Sequence, residues 1–116
     1  TVAEAVALLE QRLASDPHDA GAAALLAIGY CLSYAGDERD EVWLSRARAA
    51  AQQAEREEPQ RAIVQAARGW VEEYLNNKAD AEAHYLRARM LDPGDRHALL
   101  GLARLYAQSG RATQPQ

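Results

Sequence analysis

The 116-residue sequence has no phenylalanine, one cysteine, one methionine and one lysine. The single cysteine, Cys31, rules out an intrachain disulfide and a cysteine-based metal cluster. Large aromatics are scarce, so any core must be built mainly from small and aliphatic side chains. No apolar run is long enough to span a bilayer. The seven glycines (Gly21, Gly29, Gly36, Gly69, Gly94, Gly101 and Gly110) are isolated, so no glycine-rich phosphate loop is present. No segment alternates with period two, which predicts a fold without sheet. The net charge of -4 lacks the basic excess that a nucleic-acid surface requires. No signal-peptide pattern is seen. The chain begins at Thr1 without methionine, which gives the expectation of a piece of a longer protein. The compartment is therefore left open, with cytoplasm slightly favoured over periplasm.

What the chain does have is alanine, 26 residues of it, which is the composition of a helix former. Twelve of the thirteen basic residues are arginine. With the alanine content this bias is associated with bacterial proteins from GC-rich genomes. Apolar residues recur at helical spacing, and turn signals divide them into six helices. A first helix over 2–15 carries Val2, Val6, Leu9 and Leu13 on one stripe, ending at Ser15-Asp16-Pro17. Asp16 or Asp19 caps a second over 20–35, with Gly36 as its C′ residue. A third over 40–57 has Trp43, Ala47, Ala50, Ala51 and Ala54 inward and stops at Glu58-Pro59. A fourth spans 60–75, with Asn76-Asn77 as the turn because asparagine tolerates the left-handed conformation. A fifth over 79–91 presents Ala81, Tyr85 and Ala88. Asp92-Pro93-Gly94 stops it, and Asp95 caps a sixth over 95–108 presenting Leu99, Leu102, Ala103 and Tyr106. Residues 111–116 read as a disordered tail.

The turns repeat. Pro59 and Pro93 are 34 residues apart, and Pro17 and Pro59 are 42 apart, eight more. Gly69, Ala81, Tyr85, Ala88 and Pro93 continue into Leu99, Leu102, Ala103 and Tyr106. Leu26, Ala27 and Tyr30 precede Ala47, Ala51, Ala54 and Pro59 in a second, similar series. On these residues the chain resembles the tetratricopeptide repeat family, over nearly its whole length. The resemblance implies an all-α solenoid of antiparallel helix hairpins over 1–110. Its units are a half repeat (1–17), a long repeat (18–59), a regular repeat (60–93) and a half repeat (94–110). The long hairpin, with Trp43-Leu44 opening its second helix, looks like the repeat regions of bacterial signalling proteins such as Ser/Thr kinases. In the fourth helix the family's inward positions fall on the polar Gln65, Arg68 and Glu72. That implies a rotated helix packing through Val64, Ala67, Val71 and Leu75.

Searched for chemistry, the sequence offers little. His18, His84 and His97 lack metal-ligand spacing, Cys31 sits in an Ala/Leu helix, and Glu72-Glu73 and Glu55/Glu57-Glu58 read as solvated helix faces. No catalytic residue, cofactor or metal is expected. The resemblance implies instead a non-catalytic interaction module that takes a peptide or protein segment in a concave groove. Carried onto this chain, the groove comprises Ala24, Ile28, Ile63, Ala66, Trp70, Tyr74, His97, Leu100, Arg104 and Gln108. Trp70 and Tyr74 are its anchors if they are not packing residues. The Lys/Asn pattern that grips a terminal carboxylate in some family members is missing. Two alternatives stand beside this reading: a regulatory segment of a signalling enzyme, and self-association through uncapped end helices. The sixth helix, apolar on most sides, is the expected contact.

Overall fold

A computed structural model describes residues 1–37 and 39–110; the tail expected over 111–116 lies outside them. The described residues form six α-helices and no strand: α1 (Val2–Ser15), α2 (Ala20–Gly36), α3 (Glu41–Glu57), α4 (Ala62–Tyr74), α5 (Lys78–Leu91) and α6 (Arg96–Gln108). The helix starts follow capping chemistry. Thr1 and Glu4 form a capping box on α1, and Asp19, Asp40 and Asp95 accept from the first-turn amides of α2, α3 and α6. Of the two candidate caps for α2, Asp19 takes the role, while Asp16 ends α1. Asn76 has φ 68°, as its place in the α4–α5 turn requires. Gly36 is not the left-handed residue expected after α2. It closes the last helical turn, and Arg39 takes the positive φ, 59°. The extra length around residues 31–47 extends the helices: α2 and α3 have 17 residues each, α4 and α5 have 13 and 14.

Each helix touches only helices one or two places away in the chain. α1 touches α2; α2 touches α3 and α4; α4 touches α3, α5 and α6; and α5 touches α6. Alanine makes the close approaches. Ala23, Ala24 and Ala27 of α2 and Ala47, Ala51 and Ala54 of α3 are buried, and small side chains let two axes draw together. α4 is covered from four directions, and this changes the expected account of its rotation. Val64, Ala67 and Val71 are buried as the rotation requires, but so are Gln65 (0% exposed) and Glu72 (8%). The polar line is turned inward; Gln65 and Glu72 are hydrogen-bonded there, while Arg68 Nε and Nη1 are buried without a hydrogen-bond partner among the described residues. Gln65 Nε2 donates to the Pro59 carbonyl (2.9 Å) and to Glu55 (3.1 Å), and its Oε1 meets His84 Nδ1 at 2.9 Å. Asn77 Nδ2 donates to Glu72 at 2.8 Å. Arg68 lies 3.3 Å from Glu55 and 3.6 Å from Glu72.

α6 also differs from expectation. Leu102 and Tyr106 are buried, but Leu99 and Ala103 are exposed, and Ala98, Gly101 and Leu105 complete the inner face. The reason is Tyr85. Its ring, fully buried, lies against Gly69 of α4 and Gly101 of α6 so closely that a Cβ on either glycine would overlap it. α6 is therefore turned with Gly101 toward α5.

Candidate functional site

The polar and aromatic groups converge where α4 meets α6. Glu73 is the centre. Its side chain is only 7% exposed and accepts both Arg104 Nε and Arg104 Nη2 at 3.0 Å, plus the Tyr85 hydroxyl at 2.7 Å. A two-pronged guanidinium and a phenol together supply the hydrogen bonds that this largely buried carboxylate needs. The same guanidinium lies 4.1 Å from the centroid of the Trp70 ring. Trp70 stacks on Tyr74 (centroids 6.2 Å, planes 9° apart), and its indole N–H donates to the His97 carbonyl at 3.1 Å. Tyr74 meets the edge of Tyr34 at 6.2 Å, and the Arg39 guanidinium is 5.5 Å from the Tyr34 centroid. Cations thus close both ends of a chain of three rings.

Beside this chain is a recess of about 430 Å³. Glu73, Tyr74, Arg104 and Gln108 line it from α4 and α6, Arg39 reaches it from the α2–α3 turn, and Asn76 and Lys78 from the α4–α5 turn and the start of α5. Burial works against the charge on Arg104, but its bonds to Glu73 outweigh that and hold its pKa above the usual guanidinium value. Burial also raises the Tyr74 and Tyr85 phenols, and for Tyr85 the bond to Glu73 adds to it. The recess therefore presents the Arg104 cation and the neutral Tyr74 phenol, with Glu73 also in its lining.

The ten groove residues divide by depth. Ala24, Ile28, Ala66 and Trp70 are buried; Ile63, Tyr74, His97 and Arg104 are half-buried; Leu100 and Gln108 are exposed. Three of them, Tyr74, Arg104 and Gln108, meet at the recess. Ala24 and Ile28 belong to the core cluster. Trp70, at 5% exposure, packs between Tyr74 and Arg104, and of the aromatic pair only Tyr74 lines the recess.

Several residues of the site are not evident from spacing alone. Glu72 and Glu73 are not a solvated face: Glu72 is covered by Arg68 of its own helix and Asn77 of the α4–α5 turn, Glu73 by Arg104 of α6 and Tyr85 of α5. A signal for Glu73 exists: it lies four residues after Gly69, on the side of α4 that Tyr85 approaches. Arg39, Asn76 and Lys78 are turn and helix-end residues that only the tertiary fold brings together.

The chemistry otherwise available is limited. Burial pushes the Cys31 thiol up to about 12, so it is protonated and unreactive. Among the described residues, no group of three His, Cys, Asp or Glu side chains is placed to hold a metal ion, and no helix is long and apolar enough to cross a membrane. Compared with known proteins, the chain matches no family model and no curated protein.

Proposed function

We propose that this chain is a non-catalytic interaction module, built as a tetratricopeptide-like array, that binds a protein or peptide segment along α4 and α6. Two features support the array. The helices touch only near neighbours in chain order, and α2, α4 and α6 lie side by side as alternate members. That is the connectivity of two full hairpins, α2–α3 and α4–α5, flanked by half units. The observation that carries the binding reading is the recess. It gathers an accessible aromatic (Tyr74), hydrogen-bonding amides (Asn76 and Gln108) and cations in one concave place. This combination of one apolar platform and a few polar groups suits a peptide. The exposed Leu100, one turn before Arg104, extends the apolar contact along α6.

The test is selection of peptides from a random display library on the immobilised chain, then affinity measurement against variants. Tyr74→Ala and Gln108→Ala should each weaken a selected peptide about tenfold, with helicity unchanged. Trp70→Ala is unsuitable because its ring is part of the core. Peptides that bind all variants alike would place recognition on another face, and a selection that yields no binder would refute the reading itself.

A further inference from the structure

α5 buries Ala81, Tyr85 and Ala88 against the rest of the fold. Its opposite side carries a second apolar stripe: Ala79, Ala83, Leu86 and Met90, at steps of four, three and four. All four are exposed, Met90 by 86% and Leu86 by 39%. Steps of four and three are the seam spacing of two helices that pack side by side. The stripe is small at its N-terminal end and large at its C-terminal end. Hollows border both ends, one beside Ala79 at Leu105 and one between Leu86, Met90 and Pro93. Charges flank the stripe in the same polarity. Asp80 and Arg87 stand on one side, Glu82 and Arg89 on the other, each pair seven residues or two turns apart. Asp80, Arg87 and Arg89 enter no ion pair among the described residues. Glu82 accepts from the Tyr106 hydroxyl at 3.0 Å.

We propose that the occupant of this seam is a second copy of the chain, the two α5 helices lying antiparallel about a two-fold axis. One register satisfies every feature. Ala79 faces the partner's Met90 and Ala83 faces the partner's Leu86, so each large side chain meets a small one. In an antiparallel pair each flank faces the same flank of the other helix. The same register therefore sets Asp80 beside the partner's Arg87, and Glu82 beside the partner's Arg89. Acid at the start of the helix and base at its end make the surface complementary to a reversed copy of itself, and the two-fold axis repeats each pair. A parallel pair in register would instead set Met90 against Met90 and Ala79 against Ala79, large against large and small against small. A single 14-residue helix per copy gives an interface at the lower end of stable sizes, so the dimer is a weak one. The contact lies on α5, and not on α6 where the apolar sequence alone would place it.

Sedimentation equilibrium of the full chain across a dilution series tests this. The expected result is a monomer–dimer equilibrium with a dissociation constant of roughly 100 μM. Asp80→Arg and Arg87→Glu should each shift it at least about tenfold toward monomer, since either change places like charges together twice per dimer. Mixing the two variants should restore association as a heterodimer, and the double variant Asp80→Arg/Arg87→Glu should associate with itself again. All these positions are exposed, and circular dichroism checks that helicity is unchanged. A chain that stays monomeric throughout the series overturns the proposal. So does a dimer indifferent to both single variants, or one that the double variant fails to restore.

Discussion

Gly101→Ala adds one methyl group to the inner face of α6, at the point where Tyr85 leaves no space. In an exposed helix this change would stabilise the protein by about 1 kcal/mol, because glycine is the poorer helix former. Here the new Cβ would overlap the Tyr85 ring. Three elements oppose relief. Gly69 stands on another side of the ring, the Tyr85 hydroxyl is held by Glu73 at 2.7 Å, and Glu73 is held by Arg104. Forcing a side chain into a filled core costs about 1–3 kcal/mol. Loosening the bond from Tyr85 to a buried carboxylate adds about 1.5–3 kcal/mol. Against the propensity gain, the net expectation is a loss of about 3 kcal/mol. Chemical denaturation with circular dichroism reads this directly, and Tm should fall by roughly 10 °C. Gly36→Ala is the control. It also lies in a helix, but nothing approaches within 4 Å of its added Cβ, so it should be neutral or stabilising by up to about 1 kcal/mol. Combining Gly101→Ala with Tyr85→Leu should cost less than the two single losses together, because the smaller side chain makes room for the methyl. If Gly101→Ala leaves stability unchanged, or costs no more than Gly36→Ala, then Tyr85 does not set the α5–α6 approach and the reasoning fails.

Arg104→Ala should cost about 2 kcal/mol by denaturant titration, since it strands the Glu73 carboxylate and uncovers Trp70; adding Glu73→Gln should recover part of that loss. Burial, and after it Arg68, holds His84 below the ordinary histidine value of 6.5, against the opposing pull of Glu55, Glu72 and Asp80. The unfolded chain therefore binds this proton before the folded chain does. Stability is full above pH 6.5 and declines as pH falls toward the folded value. The exposed His18, raised by its hydrogen bond to Glu57, has the opposite sign. The isolating measurement is the difference in pH dependence between the wild type and His84→Gln, which should lose the His84 contribution. Cys31, fully buried and protonated, should resist a thiol reagent in the native protein and react in denaturant; rapid labelling under native conditions would show that α2 opens locally.

The helices were legible because their punctuation is local. Asp-Pro and Glu-Pro stops, aspartate caps and the asparagine turn act on the residues beside them, so bounds read from the sequence fall within two residues of the observed ones. The inner faces of α1, α3 and α5 were legible in large part: Val6, Ala47, Ala50, Ala51, Ala54, Ala81, Tyr85 and Ala88 are buried, while Val2 is exposed and Trp43 half-buried. α4 was less so. Its polar residues look like a solvent face until Glu55, His84 and Arg104 arrive from other helices and Asn77 from the turn that follows, and those partners lie up to 31 residues away. The inward turn of Gly101 could not be read from periodicity either, because glycine carries no hydrophobic signal and its role is to make room. At the recess, Tyr74, Arg104 and Gln108 are on the face that the repeat resemblance carries onto the fourth and sixth helices. Arg39 and Lys78 depend on how two turns come together.

The position of each helix in the order of contacts sets how the fold comes apart. α1 rests on α2 alone, held by the Tyr30 to Glu10 bond (2.6 Å) and the Arg12–Asp19 pair at its end. α4 is gripped from four directions. Amide hydrogens should therefore exchange first in α1 and last in α4, with α1 released in a partial opening that leaves the remaining helices folded. Mild loss of stability would not melt this protein evenly. It would shorten it from its N-terminal end while the recess between α4 and α6 stayed intact.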